Sequence, residues 1–130
     1  MERRVVRVAG IGFRGAADLA SLRDALTLAQ GDGAPLQALV TEAAKARSEV
    51  FRALAQELGV PGLGIAADEL TQMITPTQSA RIKDRFGTGS LCEAAALAAA
   101  GPGARLVAAR VVSGDGMATA AIAENEGTDT

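Results

Sequence analysis

The chain has 130 residues, the size of one domain with a single core. Hydrophobic residues make up 48% and charged ones 22%, a globular balance, and the thirteen basic and fifteen acidic side chains leave a formal net charge of −2. No bulk field draws such a chain to nucleic acid or to an anionic membrane. There is no histidine and only one cysteine. Histidine-based triads, histidine-ligated metals and an internal disulfide are therefore excluded, and a metal site is not expected.

The N-terminal Met1-Glu2-Arg3-Arg4 is followed by an apolar run too short for a signal peptide. Val5 to Ile11, rich in valine and isoleucine, predicts a first strand that ends in glycines. Ala16 to Gln30 carries Leu19, Leu22, Leu26 and Ala29 at helical spacing and closes on Gly31-Asp32-Gly33. Leu36 to Thr41 predicts a second, buried strand. Phe51, Leu54, Ala55 and Leu58 mark a helix from about Ala44, stopped by Gly59 with Pro61 just beyond. Leu63 to Ala66 predicts a third strand and Asp68 to Met73 a short helix, after which Thr75-Pro76-Thr77 turns into another helical piece reaching about Lys83.

A capped helix follows from Leu91 to Ala100, ending at Gly101-Pro102-Gly103. Arg105 to Ser113 and Met117 to Ala123 then form two strands joined by Gly114-Asp115-Gly116, where Asp before Gly suits a type I′ hairpin. The acidic residues Glu124 to Thr130 are expected to fray, leaving 1–123 as the domain. The alternation implies an α/β fold: a three-layer domain with a mixed, mainly parallel sheet of about five strands and a C-terminal β-hairpin at one edge. The longest apolar run, Ala94 to Ala100, falls far short of the roughly 20 residues that span a membrane, so a cytoplasmic protein with no membrane partner is expected. A lone thiol suits that reducing compartment.

Gly10-Ile11-Gly12-Phe13-Arg14-Gly15 matches the dinucleotide fingerprint between a strand and a helix. The acid that should follow about 20 residues on is missing, since Glu42 comes well beyond that spacing. The structural reading is a glycine-permitted turn. Gly12, Arg14 and Gly15 remain candidates for holding an anion at the C-terminal edge of the sheet, where open α/β sheets bind ligands.

Gly87-Thr88-Gly89-Ser90-Leu91-Cys92-Glu93 pairs a glycine-rich turn with the Ser-x-x-Glu pattern of a reciprocal capping box. Free backbone N–H groups and the helix dipole make such a start a seat for a carboxylate or phosphate. Cys92 sits where a dipole lowers a thiol pKa, but without a histidine to activate it, packing is the simpler role. Lys45, after the second strand, is read either as part of a solvated helix start or as a cation reaching over the sheet edge toward an acid. Of the aromatic residues, only Phe13, Phe51 and Phe86 could stack on a flat ligand.

These motifs together resemble the family of the C-terminal domain of CbiG, the cobalt-precorrin hydrolase of anaerobic cobalamin biosynthesis, whose stand-alone form is CobE. The likeness runs through the Gly10 to Gly15 turn, Lys45, Ala66-Ala67-Asp68-Glu69-Leu70, Thr75-Pro76-Thr77, the block Gly87 to Leu97 and the hairpin ending Ala118 to Ala123. Family members carry an Asp shortly before the lysine and a Glu after it, where this chain has Ala43 and Ser48, with Glu49 adjacent. The resemblance implies a cobalamin biosynthesis protein that binds a corrinoid or precorrin, a flat macrocycle rimmed with carboxylates, and assists its processing or transfer. The ligand residues it implies are Gly12, Arg14, Gly15, Lys45, Thr75, Gly87, Thr88, Gly89, Ser90, Leu91 and Cys92, with no cofactor. The alternatives are a lactone hydrolase opening the ring-A δ-lactone, with Glu49, Lys45 or Glu93 managing the water, and a non-catalytic module docking on another pathway enzyme.

Overall fold

Period-two alternation along β1 (Arg3–Phe13) decides the architecture, because both of its faces are covered. Ala9 and Ile11 enter one core cluster and Val8 the other. In the computed structural model the described residues are 3–31, 33–72 and 90–128. They form α1 (Leu19–Gln30), β2 (Ala38–Glu42), a single 3-10 turn (Lys45–Arg47), α2 (Glu49–Leu58), β3 (Gly62–Ile65), α3 (Ala67–Leu70), α4 (Leu91–Ala100), β4 (Arg105–Val112) and β5 (Ala118–Thr128). The strand order is β3-β2-β1-β5-β4, with β1, β2 and β3 parallel and the hairpin strands antiparallel to their neighbours. α1 and α2 pack on one face, α4 and Leu70 of α3 on the other. The mixed sheet between two helix layers, read from the sequence, is present.

Local chemistry moves several boundaries. α1 starts at Leu19 rather than Ala16 because Asp18 caps it: its Oδ1 accepts the Ser21 N–H at 2.9 Å, while the Ser21 hydroxyl accepts the Asp18 N–H. The helix expected from Ala44 is divided, since the Glu42 carboxylate accepts the Ala44 N–H at 3.0 Å and starts a 3-10 turn. Ser48 is then extended and caps α2 through the Phe51 N–H. Gly59, left-handed at φ 70°, closes α2 as expected.

Two further expectations are corrected at the C-terminus. β5 does not end at Ala123: it pairs with β1 out to Thr128, which faces Arg3. Of the residues expected to fray, Glu124 is ion-paired to Arg7 and the Asn125 amide donates to the carbonyls of Ala100 and Pro102, both at 2.9 Å, while 129–130 lie outside the described residues. The hairpin exists but its turn is not type I′, which needs positive φ at both central residues. Gly116 alone is left-handed there, and its N–H closes the turn on the Ser113 carbonyl at 2.9 Å. The Thr75-Pro76-Thr77 turn and the helical piece to Lys83 lie outside the described residues.

Candidate functional site

The C-terminal ends of β1 and β2 meet the start of β5 at one end of the sheet, where Gly12 pairs with Thr119 and Phe13 with Ala118. Arg14 and Gly15 follow β1 as an exposed turn, fastened by the Arg14 N–H to the Met117 carbonyl at 2.9 Å. Lys45 comes from the end of β2. Its ammonium donates to the Phe13 carbonyl and stands 4.7 Å from the centroid of the Phe13 ring. The lysine thus lies over the sheet edge, with the Phe13 carbonyl and ring among its partners there rather than only the acid that one of its two sequence readings expects. Phe13 and Phe51 stack on each other with ring centroids 6.5 Å apart, and Phe51 is fully buried. That removes Phe51 from the residues expected to stack on a ligand; Phe86 lies outside the described residues.

The glycine motif is not a phosphate-binding turn. Gly10 and Gly12 lie inside β1 and face α4. A Cβ at Gly10 would overlap the Cys92 carbonyl oxygen and come within 2.8 Å of the Ala96 nitrogen. A Cβ at Gly12 would meet the Thr119 hydroxyl at 2.7 Å. The bare backbone at Gly10 lets the α4 backbone approach the strand, while Gly12 leaves room for the Thr119 side chain. Only Gly15 of the motif stands in the turn, with open space where a Cβ would be.

At the start of α4, Ser90 accepts the Glu93 N–H through Oγ at 3.5 Å. The reciprocal half of the expected capping box is replaced, because the Glu93 carboxylate turns to β4 and its Oε2 accepts the Arg110 N–H at 2.8 Å. Ser90, Leu91, Cys92 and Glu93 are all buried. Burial pushes the Cys92 thiol above its ordinary pKa, against smaller downward pulls from hydrogen bonds with Ser90 and Thr119. Such a thiol packs rather than reacts.

The fold therefore brings Gly12, Leu91 and Cys92 into contact around Thr119, and sets Arg14, Gly15 and Lys45 around the end of β1. Thr75, Gly87, Thr88 and Gly89 lie outside the described residues. Thr119 and Arg110 join the site from β5 and β4 without having been singled out. Thr119 could have been flagged as the one polar residue between Ala118 and Ala123, whereas Arg110 shares β4 with Arg105 and a bulge obscures which face it takes. A surface depression of about 590 Å³ runs along α2 to Gly62, and no residue from the end of β1 lines it. No described helix is long and apolar enough to cross a membrane.

Comparison with known proteins bears on the fold and the family. Structurally the chain is similar to CobE, a protein from the cobalamin (vitamin B12) biosynthetic pathway, at 30% identity and TM-score 0.83, covering 93% of this chain and 91% of that one. It is also similar to the cobalamin biosynthesis protein chiG of Agrobacterium tumefaciens, at 34% identity and TM-score 0.68 over 91% and 97% of the two chains. A cobalamin biosynthesis protein G homolog from Sulfolobus solfataricus shares the fold at 17% identity and TM-score 0.70, over 95% of this chain and 38% of that one. No curated protein sequence matches. Residues 7–123 match the family described as Cobalamin synthesis G C-terminus, and the chain belongs to that family of cobalamin biosynthesis proteins.

Proposed function

We propose that this protein binds a corrinoid or precorrin at the C-terminal end of its sheet and assists the processing or transfer of that macrocycle in a reducing cytoplasm. The observation that carries this reading is the placement of Lys45 and Arg14 around the end of β1 in a cobalamin-synthesis family domain. Carboxylates on a macrocycle rim suit an ammonium and a guanidinium at the mouth of a sheet. Lys45 is pre-positioned by the Phe13 carbonyl and ring, so a ligand carboxylate would exchange for, or add to, a contact already made. Thr75, Gly87, Thr88 and Gly89 are proposed to join from the segment before α4. The buried Ser90, Leu91 and Cys92 form the floor of the site rather than its open surface.

The hydrolase alternative is weakened at one residue. The Glu93 carboxylate is fully buried and committed to the Arg110 N–H, which removes it as a general base that must reach a water on the substrate. The test is an equilibrium titration of the full chain with hydrogenobyrinic acid, followed by absorbance. Binding weakened about tenfold by Lys45→Ala, one charge-assisted contact's worth, supports the proposal. Absence of binding by the unaltered protein to this and earlier ring precursors would overturn it, and co-purification with another pathway enzyme would then favour a docking module.

A further inference from the structure

The register of β4 puts another cation at this end of the molecule. Ala108 faces Ile122 and Val111 faces Ala120, so one extra residue enters β4 between them as a bulge. Ala108 and Val111 both pack into the α1/α2 core, which leaves Arg110 and Val112 on the α4 face beside Thr119. The Arg110 backbone is pinned there by Glu93, whose Oε2 takes its N–H at 2.8 Å. Both charges reach the start of α4, where Glu93 pushes the Cys92 thiol upward and Arg110 pulls it down.

Arg110 is half-buried, yet among the described residues no hydrogen bond or ion pair engages its guanidinium. A cation partly withdrawn from water without a direct ion pair or hydrogen bond is unfavourable, and α4 packs through alanines that do not need it. Val112 next to it is 45% exposed, and Thr119 is half-buried. Cation, hydroxyl and open apolar side chain are thus adjacent on one face. That combination fits a carboxylate carried on an apolar ring edge.

We propose that Arg110 is a carboxylate-binding residue, seating one rim carboxylate of the macrocycle beside Thr119 and Val112, and that Glu93 is the positioning residue that holds it in place. This rests on the corrinoid reading above and extends the site across β5 to β4. The guanidinium takes the carboxylate through two parallel N–H donors, which a lysine at that position would not reproduce.

The experiment compares two probes on the full chain: cobyrinic acid, with free rim carboxylates, and cobinamide, whose side chains are amides. Arg110→Ala is expected to weaken cobyrinic acid about tenfold or more while leaving cobinamide unchanged, with Arg110→Lys intermediate. Glu93→Gln keeps an acceptor for the Arg110 N–H but loses the charge, and is expected to weaken the acid less than Glu93→Leu does. Glu93→Leu is expected to weaken the acid, with Arg110→Ala adding nothing further, a non-additivity that a merely structural role would not produce. If Glu93→Leu does not fold, as judged by circular dichroism, the Arg110 pair and Glu93→Gln still carry the test. Unchanged cobyrinic acid binding by Arg110→Ala overturns the assignment while the corrinoid reading stands, as does equal loss of both probes. No binding of either probe by the unaltered chain removes both proposals together.

Discussion

The two faces of the sheet are packed by opposite means. On the α1/α2 face, Leu22, Leu26, Phe51 and Leu54 fill the space above Ile11 and Leu39, so helix and strand stand a full side chain apart. On the α4 face, Ala94, Ala95, Ala96 and Ala100 lie over Val8, Val40 and the bare backbone at Gly10. The first face can lose shape but is costly to empty. The second cannot accept added volume, because the atoms that would be struck belong to the α4 backbone. Proximity has a consequence for function too: the close approach sets the height of Ser90 and Cys92 above the end of β1.

Substitutions of opposite kind should break this contrast. Phe51→Ala removes a fully buried ring that also supports Phe13, and is expected to cost about 3–5 kcal/mol in urea unfolding. The loss should fall on stability, with ligand affinity at the α4 side little changed. Gly10→Ala adds one methyl group and is expected to cost about 3 kcal/mol, the upper end for overpacking, since the Cys92 carbonyl and Ala96 nitrogen cannot rotate away. Here the corrinoid titration should move as well, because α4 must lift to make room. If Gly10→Ala were silent in both measurements, the close-approach account of this glycine would be wrong.

Most of the layering was legible in the sequence, and the exceptions have specific causes. Period-two and period-3.6 patterns found the strands and helices because burial imposes those periods. The glycine motif was misplaced because spacing alone cannot tell a glycine that permits a turn from one that permits contact; Gly10 needs extended backbone, not positive φ. The capping box was half right because Ser90 acts locally, whereas Glu93 found its partner on β4, which no local pattern encodes. A box of that kind did form at Asp18 and Ser21, where Asp replaces Ser and Ser replaces Glu in the usual pattern. Fraying was expected after Ala123 because Glu124 and Asn125 are polar, and it failed because each has a distant partner, Arg7 and the end of α4. In the candidate site, the sequence left Lys45 between a solvated helix start and the sheet edge because only the fold brings it to the Phe13 carbonyl, and Arg110 was hidden by a bulge that breaks strand alternation.

The smallest expected effect concerns how α1 is fastened at the hairpin end. Asp115 is an exposed turn residue whose Oδ1 accepts the Ser113 hydroxyl and the Met117 N–H and whose Oδ2 accepts the Ser21 hydroxyl of α1 at 2.6 Å. These bonds, the one from Ser113 foremost and that from Ser21 next, hold its carboxyl at about 2 against an ordinary 3.8. A folded-state pKa below the unfolded value contributes stability above pH 3.8, and that contribution is lost as the pH falls through about 2. Acidification between those values should therefore release Ser21 and loosen the first turn of α1. The start of α4 has no such contact with Asp115 and should hold longer. Hydrogen exchange across that pH range is expected to quicken at Leu22 before it does at Ala94. Asp115→Asn, whose amide nitrogen cannot accept a hydroxyl, should lower the melting temperature slightly at neutral pH and flatten its decline between pH 4 and 2. Equal loosening of both helices would mean that the two faces share one acid response, and that the hairpin bond to Ser21 does not set the stability of α1.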